Sequence, residues 1–182
     1  MRARLLTPRA TGMPDLDAQN DFRRARRAYA TARARRWVTR RRSPSRPATF
    51  RTAAPVHGGR PRLQVVPLSQ IVGTVDHTSH FDACLRPASE LVRRRWERVA
   101  VAQRRGIPLP PIELVRGLDG YYIIDGRHRV SVARTLHLAD IDAWVYGPVH
   151  EPVPASQTDR SPRHSPASPG RLTETEQQPA SA

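Results

Sequence analysis

The chain contains no lysine; all 31 of its basic residues are arginine. That absence removes Walker-type phosphate binding, Schiff-base chemistry and lysine nucleophiles together. A single cysteine, Cys84, excludes an internal disulfide and any multi-cysteine metal site. No apolar run approaches the ~20 residues needed to cross a bilayer, and the first residues lack the apolar core of a signal peptide. A cytoplasmic protein is the expectation. With 38% hydrophobic content over 182 residues, there is material for one modest domain and not two.

What is present in excess is positive charge, a formal +15, and it is unevenly placed. Residues 1–61 hold 16 Arg against three acids, whereas residues 62–147 hold 12 against nine. An ordinary central domain with a strongly basic arm is expected. Residues 1–14 lack periodicity and read as disordered. From Asp15 to Arg42 the chain is rich in Ala and Arg and free of Gly and Pro, which predicts a helix with Asp15, Asp17 and Asp21 near its N-terminus. Phe22, Ala25 and Tyr29 form a narrow apolar stripe that Trp37 roughly continues. Arg23, Arg24, Arg26, Arg27, Arg33, Arg35, Arg36, Arg40, Arg41 and Arg42 surround it. Such a helix suits phosphate backbones, with Tyr29 and Trp37 as stacking groups; the alternative is a solvated helix docked by its stripe.

Residues 43–61, with recurrent Pro and a Gly pair, read as a linker. A domain over 62–147 opens with a strand at Leu63–Val66. Asp76, His77, His80 and Asp82 gather within seven residues, but their spacing matches no standard ligand pattern and no metal site is expected. Pro87 fits the first position of a helix running to Arg105, with Gly106 as its C-cap. Leu91, Val92, Trp96, Val99 and Ala102 form its apolar side, and Arg93, Arg94, Arg98, Arg104 and Arg105 face water. Ile112–Val115 and Tyr121–Ile124, joined through Gly117–Gly120, should pair antiparallel. Ile141–Val145 reads as a last strand. Beyond Gly147, Pro, Ser, Thr and Gln predominate, and residues 148–182 read as a disordered tail.

Tyr121–Arg134 (YYIIDGRHRVSVAR) concentrates the chemistry. A short strand ends in the turn pair Asp125-Gly126, after which Val130, Ala133 and Leu136 recur with helical spacing. Strand, glycine turn and helix start place Arg127, His128 and Arg129 where unpaired N–H groups and the positive end of the helix dipole favour an anion. Glycine permits close backbone approach, and the histidine adds charge when protonated. On a helical wheel Arg127, Ser131, Arg134 and Thr135 share a polar sector. Arg129 instead falls on the inward side, so it either pairs with a carboxylate such as Asp125 or Asp82, or awaits an anionic ligand.

Three markers stand in order: Val66-Pro67-Leu68-Ser69-Gln70-Ile71, Leu109-Pro110-Pro111-Ile112, and Ile124-Asp125-Gly126-Arg127-His128-Arg129 with Ala133. On these, residues 63–145 resemble the ParB/sulfiredoxin superfamily, in its short actinobacterial ParB-like form with an Ala/Arg-rich N-terminal helix. The resemblance implies a small α+β domain whose glycine turn and following helix bind nucleotide phosphates, CTP in partition proteins and ATP in sulfiredoxins, with Mg²⁺. It carries Gly126, His128 and Arg129 onto phosphate-contacting positions. It also exposes departures. Arg127 stands where sulfiredoxins place their catalytic Cys and partition proteins usually a Glu, and the segment after the core reads as a disordered tail where partition proteins carry a helix-turn-helix domain.

The leading expectation is therefore a nucleotide-binding module with phosphate contacts at Gly126, Arg127, His128, Arg129 and Ser131. It is associated with DNA through its basic arm, within the cytoplasm or at the nucleoid, and is regulatory rather than catalytic. The enzyme alternative is a phosphotransferase, nucleotidase or nuclease with Asp125 or His128 as base. A third reading is a basic DNA-associated protein whose nucleotide pocket is vestigial.

Overall fold

The computed structural model describes residues 10–39, 46–50 and 60–147. Residues 1–9 of the expected loose start (1–14), Arg40, Arg41 and Arg42, much of the linker and the tail from 148 lie outside the described residues. Among the described residues, three α-helices and six strands form the domain: α1 (Pro14–Thr39), β1 (Ala48–Thr49), β2 (Arg62–Pro67), β3 (Ile71–Thr74), α2 (Arg93–Arg104), β4 (Ile112–Arg116), β5 (Tyr121–Asp125), α3 (Arg127–Thr135) and β6 (Asp140–Tyr146). The architecture is α+β, as expected. Among the described residues no helix is long and apolar enough to cross a membrane.

The strands join in one mixed sheet ordered β1-β3-β5-β4-β6-β2. β4 and β5 form the predicted antiparallel hairpin, with Leu114 opposite Ile123 and Val115 opposite Tyr122. β6 runs parallel to β4 and antiparallel to β2. Ile112, Leu114, Ile123, Ala143 and Val145 of the sheet share one core with Val92, Trp96 and Ala100 near and along α2 and with Val130, Val132, Ala133 and Leu136 at α3. Each of these side chains is buried, and together they supply the dominant favourable term in folding.

Several expectations need correction. Residues 46–50, within the expected linker, contain an edge strand: β1 pairs in parallel with β3, and Phe50 packs on the Tyr122 ring with centroids 4.9 Å apart. Residues 10–13, within the expected loose start, are held too, because the Thr11 N–H donates to Asp17 at 3.0 Å and its hydroxyl at 2.9 Å. The second helix starts at Arg93, not Pro87. Pro87 pairs with Phe81 in an isolated bridge, and Ser89 is extended and accepts from the Leu91 N–H, so a 3-10 turn over Glu90–Val92 precedes the helix. A serine N-cap outcompetes the proline there. Leu91 is left 83% exposed. Gly106, at φ +67, does follow the helix end in the left-handed conformation expected of a C-terminal glycine.

The largest correction concerns α1. It is no free arm over its first half: Ala18, Phe22 and Ala25 are core residues, and Phe22 meets Trp96 edge-on at 5.4 Å. Arg104, expected to face water, has a side chain only 7% exposed. Its Nε donates to Asp21 at 2.8 Å, and Asp17 lies 3.7 Å away. Those two acids, which read from sequence as helix-dipole partners, are the buried counter-charges that fasten α1 to α2. Asp17 is held below the usual carboxylate range, chiefly by the Thr11 N–H.

Candidate functional site

β5 ends at Asp125, and Gly126 turns the chain into α3 with φ 109° and ψ 14°. Two constraints require glycine there. The left-handed backbone disfavours any side chain, and an added Cβ would sit 2.4 Å from Ile112 Cγ2. The missing side chain thus makes room for β4, a packing reason that the sequence does not disclose. The Gly126 carbonyl accepts from the Val130 N–H at 3.0 Å, and no side chain caps the helix. The first N–H groups of α3 consequently have no intrahelical acceptor and point out of its start.

The three residues of that first turn play different parts. Arg129, 14% exposed at its side chain, donates to the carbonyls of Pro110 and Pro111 and to Asp125 Oδ2 at 2.7 Å. It turns inward as expected, choosing Asp125 over Asp82 and fastening the proline connector to the helix start. Arg127 extends the other way, 3.9 Å from Asp76, with its side chain 29% exposed. His128 lies between, its ring edge-on to Phe81 at 5.3 Å. Its pKa is lowered to about 4, first by burial and then by the positive charges of Arg95 and Arg127. At neutral pH the ring is neutral, and any cationic contribution comes from the arginines.

Ser131 departs from its expected place. The wheel puts it with Arg127, yet it is 1% exposed, and Trp96 Nε1 donates to its hydroxyl at 2.9 Å. It packs against α2, directed away from the helix start. Arg134, from the same expected polar sector, reaches back into the fold instead and donates to the carbonyls of Ile71 at 2.6 Å, Leu68 at 3.1 Å and Cys84 at 3.1 Å. Asp82 accepts from the Cys84 and Arg86 N–H groups and from Arg86 Nε, so its carboxylate shapes its own loop. His77 Nε2 lies 2.9 Å from Arg46 Nη1. Arg95 and His80, both close enough to act on His128, were missed from sequence because no local pattern links them to a turn dozens of residues away.

Of the expected nucleic-acid contacts, Arg23, Arg24, Arg26, Arg27, Arg33, Arg35 and Arg36 fall on the described part of α1. Arg24 pairs with Asp21, and Arg26 with Glu90 at 3.2 Å. Arg27, Arg33 and Arg35 have no carboxylate partner among the described residues.

No family model and no curated protein matches the chain. Among solved structures it is similar to the crystal structure of sulfiredoxin from Arabidopsis thaliana, at 19% identity, over 48% of this chain and 86% of that one, with a TM-score of 0.32.

Proposed function

We propose that the protein binds the phosphates of a nucleotide at the start of α3 and associates with nucleic acid through α1, acting as a binding or regulatory module. One observation carries the nucleotide reading: an uncapped helix start lies beside a partly exposed Arg127 and within the field of Arg95. Outward N–H groups and a guanidinium together match the geometry and charge of phosphate oxygens. CTP or ATP with Mg²⁺ is the ligand the resemblance implies. The residues present fit the phosphate part of such a group, through Arg127 and the α3 N–H groups; among the described residues no cluster of three His, Cys, Asp or Glu side chains gathers to hold the cation by itself.

Binding is favoured over turnover because the candidate bases are poorly suited to the work. Asp125 is ion-paired with Arg129, and His128, with its pKa near 4, is a weak base at neutral pH. The net charge of +15, together with Arg27, Arg33 and Arg35, which have no carboxylate partner among the described residues, supports sequence-independent nucleic-acid association in the cytoplasm or at the nucleoid. A thermal-shift series with CTP, ATP, GTP and their diphosphates, each with Mg²⁺, tests the pocket. At least one nucleotide should raise the melting temperature of the wild type and lose that effect in Arg127→Ala. No shift with any of them overturns the nucleotide reading, and steady release of product from a labelled nucleotide overturns the preference for binding.

A further inference from the structure

We infer that the second half of α1 holds single-stranded nucleic acid, with bases stacked on Tyr29 and Trp37 and the backbone held by Arg27 and Arg33. The inference rests on the reading that α1 contacts nucleic acid, and it fixes the strand state of the ligand. The packing of the helix stops early. Ala25 is the last buried residue of α1, and the tether from Arg86 Nη1 to the Ala28 carbonyl, 3.2 Å, lies just beyond it. From there to Thr39 no residue is buried. The fold nevertheless leaves Trp37 84% exposed on this stretch, an indole that the described residues do not bury.

The surroundings of that indole form a shallow concavity of about 660 Å³ lined by Arg26, Arg27, Tyr29, Arg33, Trp37 and the methyl groups of Ala30 and Ala34, with Glu90 at its border. Tyr29, Arg33 and Trp37 follow one another at i, i+4 and i+8, so they lie along one stripe of the helix. At 1.5 Å per residue the two aromatic positions are ~12 Å apart, with a guanidinium between them. The two alanines keep the helix surface low beside that stripe. Arg26 holds the Tyr29 ring from one side, its guanidinium 5.7 Å from the ring centroid, and is itself fixed by Glu90 at 3.2 Å and the Pro87 carbonyl at 3.3 Å. Tyr29 is thus a braced platform, while Arg27 and Arg33 keep no carboxylate partner among the described residues.

Alternating flat apolar groups and unpaired cations repeat the chemistry of a single strand, with bases between phosphates. A duplex could use the cations but not the rings, because its base faces already stack on one another. Stacking on an aromatic side chain is sequence-tolerant and strong enough to decide strand preference. An acidic peptide shares the charge of this ligand but not its row of aromatic faces.

The test compares full-length wild type, Trp37→Ala, Tyr29→Ala and Trp37→Phe for binding to a labelled oligothymidylate and to a duplex of equal length at one fixed salt concentration. Wild type should prefer the single strand, and Trp37→Ala should weaken single-strand binding about tenfold while leaving duplex binding and melting temperature unchanged. Trp37→Phe should retain most of the affinity. Equal losses on both ligands, or no loss on either, overturn the stacking inference and leave nucleic-acid association standing. Absence of wild-type binding to either ligand overturns both readings, and displacement by a poly-glutamate peptide with no single-strand preference assigns the groove to acidic protein instead.

Discussion

Replacing Asp21 by alanine removes the counter-charge from the most enclosed guanidinium on the α1–α2 boundary. The side chains of Asp21 and Arg104 are 2% and 7% exposed. Leaving one member of a buried pair alone typically costs ~3–5 kcal/mol. Asp17, 3.7 Å from Arg104, remains as a partial partner and Arg24 loses a contact that is partly solvated, so the lower end, about 3 kcal/mol, is expected. For a domain of this size that corresponds to a fall in melting temperature of roughly 10–15 °C. Urea and thermal unfolding, followed by circular dichroism and tryptophan fluorescence together, should show one cooperative transition at a lower midpoint. The double variant Asp21→Leu/Arg104→Met should recover much of the loss, because an apolar pair in place of a buried ion pair is often neutral or better. A midpoint unchanged in Asp21→Ala would refute the reasoning and leave the apolar contacts of Ala18, Phe22 and Ala25 as what holds α1 to the domain.

Three further outcomes follow from the turn and its neighbours. Gly126→Ala should destabilise by about 2–4 kcal/mol in denaturant titration, since it combines a disfavoured positive φ with overlap at Ile112. Arg129→Ala should cost about 1–3 kcal/mol through lost anchoring of the proline connector, the exposed side of Asp125 tempering the loss, whereas Arg127→Ala should leave stability within about 0.5 kcal/mol of wild type. His128, whose pKa falls from 6.5 to about 4 on folding, contributes stability that is complete above pH 6.5 and is lost as the pH drops from there toward 4. After allowance for its partial exposure that contribution is about 1–2 kcal/mol, and the difference in acid sensitivity between wild type and His128→Phe measures it.

Local chemistry was legible and distant pairing was not. The Tyr121–Arg134 segment declares its strand, turn and helix because alternation, glycine and helical spacing are properties of neighbouring residues, and the β4–β5 hairpin follows from its turn in the same way. The inward turn of Arg129 was readable from the wheel, its partner being four residues away. Arg104, Arg134 and Ser131 were misplaced because their partners lie 83, 50–66 and 35 residues away, distances that no periodicity encodes. The edge strand β1 was missed for a related reason. Two residues in a proline-rich stretch carry no alternation, and only pairing with β3 makes them a strand. At the site the sequence identified the cationic turn but not the lowered pKa of His128, which comes from burial and from the charge of Arg95 on another helix.

Amide chemical shifts during a titration with tripolyphosphate test the central proposal most directly, since they separate a built phosphate site from indiscriminate attraction to an arginine-rich chain. Saturable perturbations centred on the N–H groups of Gly126, Arg127, His128 and Arg129, reduced in Arg127→Ala, are the predicted result. Shifts confined to α1, or none at residues 126–129, would contradict it.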